Sequence, residues 1–207
     1  DEHGGEDEDH ADDDGKDDED HDHGDEHDHS GDDPHFFADP VRMAAAVEGI
    51  VGFLQDEVDF ADPVAVDQSA AGYTAELTAL DGEVAEILDS IPQERRVLVT
   101  NHEVFGYFAD RYGFEVIGAV IPGGGTTDSA SAGEIAELAE TIEAAGVPAI
   151  FADTSSSDEL AETLAEEVGD IAVVELYTES LGEPDSDGAT YLAMVRTNAE
   201  RLSNALS

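Results

Sequence analysis

The sequence predicts an α/β fold in which a four-stranded parallel sheet is flanked by helices and preceded by one long helix. Three observations carry this expectation. Four short, β-branched apolar runs recur between residues 95 and 176. Stretches with helical apolar spacing separate them, and strands alternating with helices of this length imply a parallel sheet covered on both faces. Before the first run, an amphipathic pattern continues from Asp62-Pro63 almost to Pro92, far longer than an ordinary single helix.

Taken in order, residues 1–32 are Asp, Glu, His and Gly with almost nothing apolar. They cannot bury enough surface to offset the entropy of ordering, and read as disordered. Asp39-Pro40 then opens a helix, with Asp39 as N-cap and Pro40 in the first turn. Met43, Ala46, Val47, Ile50, Val51 and Leu54 follow at helical spacing. Asp62-Pro63 opens the long helix, whose apolar face is Tyr73, Leu77, Leu80, Val84, Ile87 and Leu88. The four strands are placed at 95–101, 114–120, 148–153 and 171–176. Between them, 105–113 is a helix ending on Gly113, and 131–146 is a helix with Ser131 and Glu134 as a capping box and Gly146 at its end. Residues 156–169 form a helix with a similar start and stop, and 189–206 form the last one.

Charge narrows the function. Residues 34–207 carry 34 acidic side chains against six Arg, a net of −28, and Lys16 is the only lysine of the whole chain. Phosphate recognition needs cations, so nucleic acid is excluded as a partner, and an anionic membrane surface would repel the chain. Self-repulsion of this size is tolerable where salt screens it, which points to a salt-loving, haloarchaeal source. There is no Cys, hence neither a disulfide framework nor a thiolate metal site. No apolar stretch approaches the ~18 residues of a membrane span. The chain starts on Asp, in keeping with a mature form or a fragment.

In a parallel sheet, ligand-contacting residues lie in loops beyond the carboxyl ends of the strands. Three such loops stand out: Thr100-Asn101-His102-Glu103, Asp153-Thr154, and 177–182 with Glu179. His35 is the only other histidine beyond residue 32. Two imidazoles and a carboxylate suit Zn²⁺, which takes N and O ligands at about 2.0–2.2 Å. Without further context, a histidine at a strand end also reads as a hydrogen-bonded structural residue.

Three phrases add that context. "DPHFFADP" (33–40) resembles the DPHxWxDP phrase of the zinc/manganese solute-binding proteins of ABC importers. "VTNHEVFGYFADRYGFEVIGAV" (99–120) is similar to a second segment of that family, and "YTESLGEPDSDGATYLAMVRTN" (177–198) to its late loop and final helix. The phrases occur in family order. The resemblance implies two α/β lobes joined by a long helix, with the metal held between them. Residues 33–63 would be a remnant of the amino-terminal lobe, 64–92 the connecting helix and 93–207 the carboxyl-terminal lobe.

The resemblance also implies His35 and His102 as metal ligands. Glu179 falls where the family often has a ligand Asp, one methylene shorter. Asp153 would stand near the cleft without being a ligand. Most of the family's amino lobe, with one more ligand His, has no counterpart in this chain.

In zinc-preferring members a His- and acid-rich loop precedes the first phrase. Here the matching segment holds His3, His10, His21, His23, His27 and His29, which would collect Zn²⁺ loosely through weak, exchanging sites. Acidic residues alone would suffice for a solvated halophilic linker, whereas imidazole adds nothing to halophilic solvation.

The expected function is extracytoplasmic capture of Zn²⁺, or alternatively Mn²⁺, at the outer face of the cell membrane. The cation would pass to the membrane subunits of an ABC permease, from a monomeric binding protein that is not an enzyme. Affinity should fall as pH drops and the imidazoles take up protons. Two rivals are a zinc enzyme with an open water position and a metal buffer acting only through the His-rich tail.

Weaker signals have plainer readings. "GAVIPGGGTTDS" (118–129) lacks both G-x-G-x-x-G and a phosphate-loop Lys, and reads as a flexible glycine loop. Ser155, Ser156 and Ser157 have no nucleophile-elbow context, and Ser156 or Ser157 reads as a helix cap. Phe105, Tyr107, Phe108 and Tyr112 read as core.

Overall fold

The computed structural model describes residues 33–120, 131–154, 159–169 and 171–207. The acidic tail with its six histidines, most of the glycine loop, and Ser155–Ser157 with their capping role lie outside the described residues.

Two helices open the described chain. α1 (Pro40–Glu57) starts as expected, its Asp39 side chain accepting from the Val41 N–H. α2 (Pro63–Leu88) starts with Asp62 accepting from the Ala65 N–H. On α2 the buried residues are Leu77, Leu80, Val84 and Leu88, a single stripe at helical spacing. The face of α1 is less complete: Ile50 and Phe53 are exposed, and only Pro40 and Ala44 are buried.

The sheet follows the predicted alternation. It contains β1 (Val97–Thr100), β2 (Glu115–Ala119), β3 (Ala149–Asp153) and β4 (Ala172–Leu176), all parallel, in the order β2-β1-β3-β4. The helices between and after them are α3 (Gly106–Tyr112), α4 (Ala132–Ala145), α5 (Glu159–Val168) and α6 (Tyr191–Leu206). The first strand is shorter than expected, because Gln93–Arg95 form a turn of 3₁₀ helix ahead of it. Gly113 and Gly146 stop their helices in the left-handed conformation, with φ of 71° and 63°. Both halves of the capping box at Ser131 and Glu134 are present.

The period of two along the strands divides the core. Leu98, Ala149, Phe151 and Leu176 face α2, α3 and α6. Val99, Ile150 and Ala152 face α4 and α5. Gly118 lets α4 approach the sheet, since a Cβ there would stand 2.4 Å from Leu138 Cδ1. Phe105, Phe108 and Tyr112 enter the core as expected, but Tyr107 does not. Those three lie on one face of α3, and Tyr107 points off that face toward residues 33–42. Its hydroxyl donates to the Asp33 carbonyl and the Arg42 guanidinium lies over its ring.

Arginines tie the elements together. The Arg111 guanidinium grips Asp81 on α2 through Nε and Nη2, at 2.7 and 2.5 Å, and holds that carboxyl below the usual carboxylate range. Arg96 donates to the carbonyls of Leu88, Ile91 and Tyr112, closing the end of α2.

Candidate metal site

The strand order reverses between β1 and β3, and the carboxyl ends of these strands border the crevice where open α/β sheets bind ligands. His102 follows β1 by two residues. The Thr100 hydroxyl and the Val104 N–H both donate to the His102 carbonyl and pull the loop into a tight turn. Asp153 ends β3. Its carboxylate accepts from the Thr178 hydroxyl and from the Glu179 N–H at 3.2 Å, so the loop after β4 is fastened across the top of β3. This loop presents Glu179.

The rest of that loop is closed on Tyr177. The Tyr177 hydroxyl donates to Asp187, and Arg201 pairs with the same carboxylate. Gly182 and Gly188 lie against the Tyr177 ring, where a Cβ at Gly188 would meet ring atoms at 2.5 Å. Asn198 on α6 holds the Tyr177 main chain at both N–H and C=O. These contacts fix where Glu179 emerges.

His35 comes from the opposite end of the sequence. It precedes a 3₁₀ turn, Phe36–Ala38, whose Phe37 carbonyl accepts from the Tyr191 hydroxyl on α6. The His35 and His102 rings meet edge to face, with centroids 5.6 Å apart. Glu179 Oε1 stands 2.6 Å from His102 Nε2 and 3.6 Å from His35 Nε2. One ligand atom from each of the three residues lies within 4.8 Å of the others.

This arrangement has the chemistry of a cation site. Around a tetrahedral Zn²⁺ with bonds of about 2.0–2.2 Å, neighbouring ligand atoms stand roughly 3.3–3.6 Å apart. The His35–Glu179 separation of 3.6 Å already has that value. The shorter His102–Glu179 contact is a hydrogen bond, and its proton would have to leave as a cation entered. The His35 and His102 side chains are mostly buried, while that of Glu179 is 40% exposed, so the cluster opens to solvent on the Glu179 side.

The structure therefore brings together His35, His102 and Glu179, with Asp153 beneath the Glu179 loop. The six tail histidines lie outside the described residues. Asp33 had not been singled out by the sequence reading. Its Oδ1 stands 2.7 Å from His35 Nδ1 and accepts the His35 N–H at 2.9 Å. The signal was its spacing: an Asp two residues before a ligand-type His can bond back to that residue.

Comparison with known proteins gives the family. A family model described as "ZnuA: Zinc-uptake complex component A periplasmic" matches residues 3–205. The zinc-binding protein TroA of Treponema pallidum is 37% identical over 145 residues, covering 68% of this chain and 46% of that protein. The manganese ABC transporter substrate-binding lipoprotein PsaA of Streptococcus pneumoniae is 26% identical over 141 residues, covering 68% and 45%. The solved structure of periplasmic zinc-binding TroA matches with a TM-score of 0.78 at 32% identity, over 84% of this chain and 64% of that one. The chain spans about half the length of the curated relatives it matches. Those relatives are named as binding proteins.

Proposed function

The chain belongs to the ZnuA family of periplasmic zinc-uptake components, and from that premise we propose that it captures a divalent cation outside the cytoplasm and hands it to an ABC-type import permease. The observation that carries this reading is the convergence of His35, His102 and Glu179 at the switch point of the sheet. Among the described residues, no helix is long and apolar enough to cross a membrane. The net charge argues against nucleic acid as a partner. The protein acts as a monomer in this reading. Residues 33–63 are then a remnant of an amino lobe and α2 is its link to the sheet domain.

Zn²⁺ is the favoured cargo. Relatives named for zinc and for manganese both occur, and the donor set is what favours zinc in this reading. Two imidazoles and one carboxylate suit Zn²⁺, whereas Mn²⁺ prefers oxygen-rich sites. Competition calorimetry on the full chain is expected to show Zn²⁺ displacing Mn²⁺ from a single tight site. Displacement in the opposite direction would make the protein a manganese carrier.

The tail has a separate role in this reading, as a loose zinc collector. A peptide of residues 1–31 should bind at least two Zn²⁺ ions weakly. A chain lacking residues 1–31 should keep the tight site and lose only the weak ones. A peptide that binds no zinc removes the collecting role. A deletion that removes all binding makes the protein a buffer, with no use for the cluster at the sheet.

A further inference from the structure

We propose that Asp33 is a positioning residue for the cation site: its carboxylate fixes the His35 ring so that Nδ1 keeps the proton and Nε2 faces Glu179 with a free lone pair. This rests on the reading of His35, His102 and Glu179 as a cation site. A neutral imidazole has one N–H, and the group bonded to one ring nitrogen decides which nitrogen is left as a ligand.

At His35 the two nitrogens differ sharply. Nδ1 lies 2.7 Å from Asp33 Oδ1, a distance that needs a proton between them. Nε2 lies 3.6 Å from Glu179 Oε1, beyond hydrogen-bond reach. The same Asp33 oxygen accepts the His35 main-chain N–H at 2.9 Å. One oxygen thus holds the residue by backbone and by ring, so the ring cannot turn without breaking a bond. Its edge also packs against Phe37, with centroids 5.9 Å apart.

Asp33 is itself held. The Tyr107 hydroxyl donates to its carbonyl at 3.2 Å. Its second carboxylate oxygen lies over Gly106, where a Cβ would stand only 3.1 Å away, so the glycine leaves room for the carboxylate. Pro34 stiffens the link between Asp33 and His35. His102 is the contrast: its Nε2 is hydrogen-bonded to Glu179 where the cation would enter. His35 is the ligand set in advance, and His102 the one converted on binding.

The experiment uses the full chain in molar KCl, with Zn²⁺ competed against a chromophoric chelator strong enough to leave weak sites empty. Losing an outer partner of a metal-bound His typically costs about 10–100-fold in affinity, which is the fall expected for Asp33→Ala at the tight site. Long-range ¹H–¹⁵N spectra of the metal-free protein give the second readout. The His35 proton should sit on Nδ1 in the parent and shift toward Nε2 in Asp33→Ala. Asp33→Asn retains an oxygen for the His35 N–H but no charge, and should fall between the two with an unchanged circular dichroism spectrum. An unaltered tautomer or an unaltered affinity in Asp33→Ala overturns the proposal. A parent chain without a one-to-one tight site overturns the cation reading instead, while the ring-nitrogen spectra still decide whether Asp33 sets the tautomer.

Discussion

His102→Ala is expected to abolish tight one-site binding of Zn²⁺ and leave weak binding by the tail intact. His102 is 8% exposed and stands at the centre of the cluster, in ring contact with His35 and hydrogen-bonded to Glu179. Replacing it removes one of the three proposed ligands and leaves a void beside the other two. The loss should exceed the roughly 10–100-fold that attends removal of an outer partner. The fold should survive, because the turn at 102 is held by its main-chain carbonyl, which accepts from Thr100 and Val104 whatever the side chain is. Competition titration, with circular dichroism as the folding control, is the measurement. Tight one-to-one binding that persists in His102→Ala would place the site elsewhere.

The pairing of His35 with His102 was legible in the sequence only through two separate patterns. Strand–helix alternation put His102 at a strand end, where such sheets present ligand groups. The phrase around His35 singled it out by resemblance to a family. The angle at which the α1–α2 segment brings His35 over the β1 loop has no local signature. It depends on non-local bonds such as Tyr191 to the Phe37 carbonyl and Arg111 to Asp81. Caps and glycine stops were readable to the residue, since Asp39, Ser131, Gly113 and Gly146 act through neighbours in sequence. Tyr107 shows the opposite limit. Its aromatic character and helical context suggested the core, but its position on α3 turned it toward Asp33. The reach of Asp33 back to its own neighbour was in principle visible, and was obscured by the more conspicuous histidine beside it.

Lowering the salt is expected to unfold residues 34–207. The segment carries 34 acids against six arginines, a net of −28. Five of the six arginines are already engaged in the fold: Arg111 on Asp81, Arg196 on Glu83, Arg201 on Asp187, Arg96 on three main-chain carbonyls, and Arg42 over the Tyr107 ring. Most carboxylates therefore rely on solvent ions for their screening. A chain of this length folds to a radius of gyration of about 16 Å. At ~0.01 M ionic strength the Debye length is about 30 Å, so every charge acts on every other; at 1 M it is about 3 Å, and only near neighbours interact. Repulsion summed over the whole molecule is set against a net stability of typically 5–15 kcal/mol. Far-UV circular dichroism should show the helices lost on dialysis from molar KCl to ~0.01 M, where the screening length is largest. Two added salts distinguish screening from a general strengthening of apolar burial. If charge is the cause, MgCl₂ should restore the signal at far lower concentration than KCl, because a divalent cation neutralises carboxylates more effectively. A helical spectrum at low salt that matches the one in molar KCl would remove the halophilic reading and leave an ordinary, if very acidic, domain.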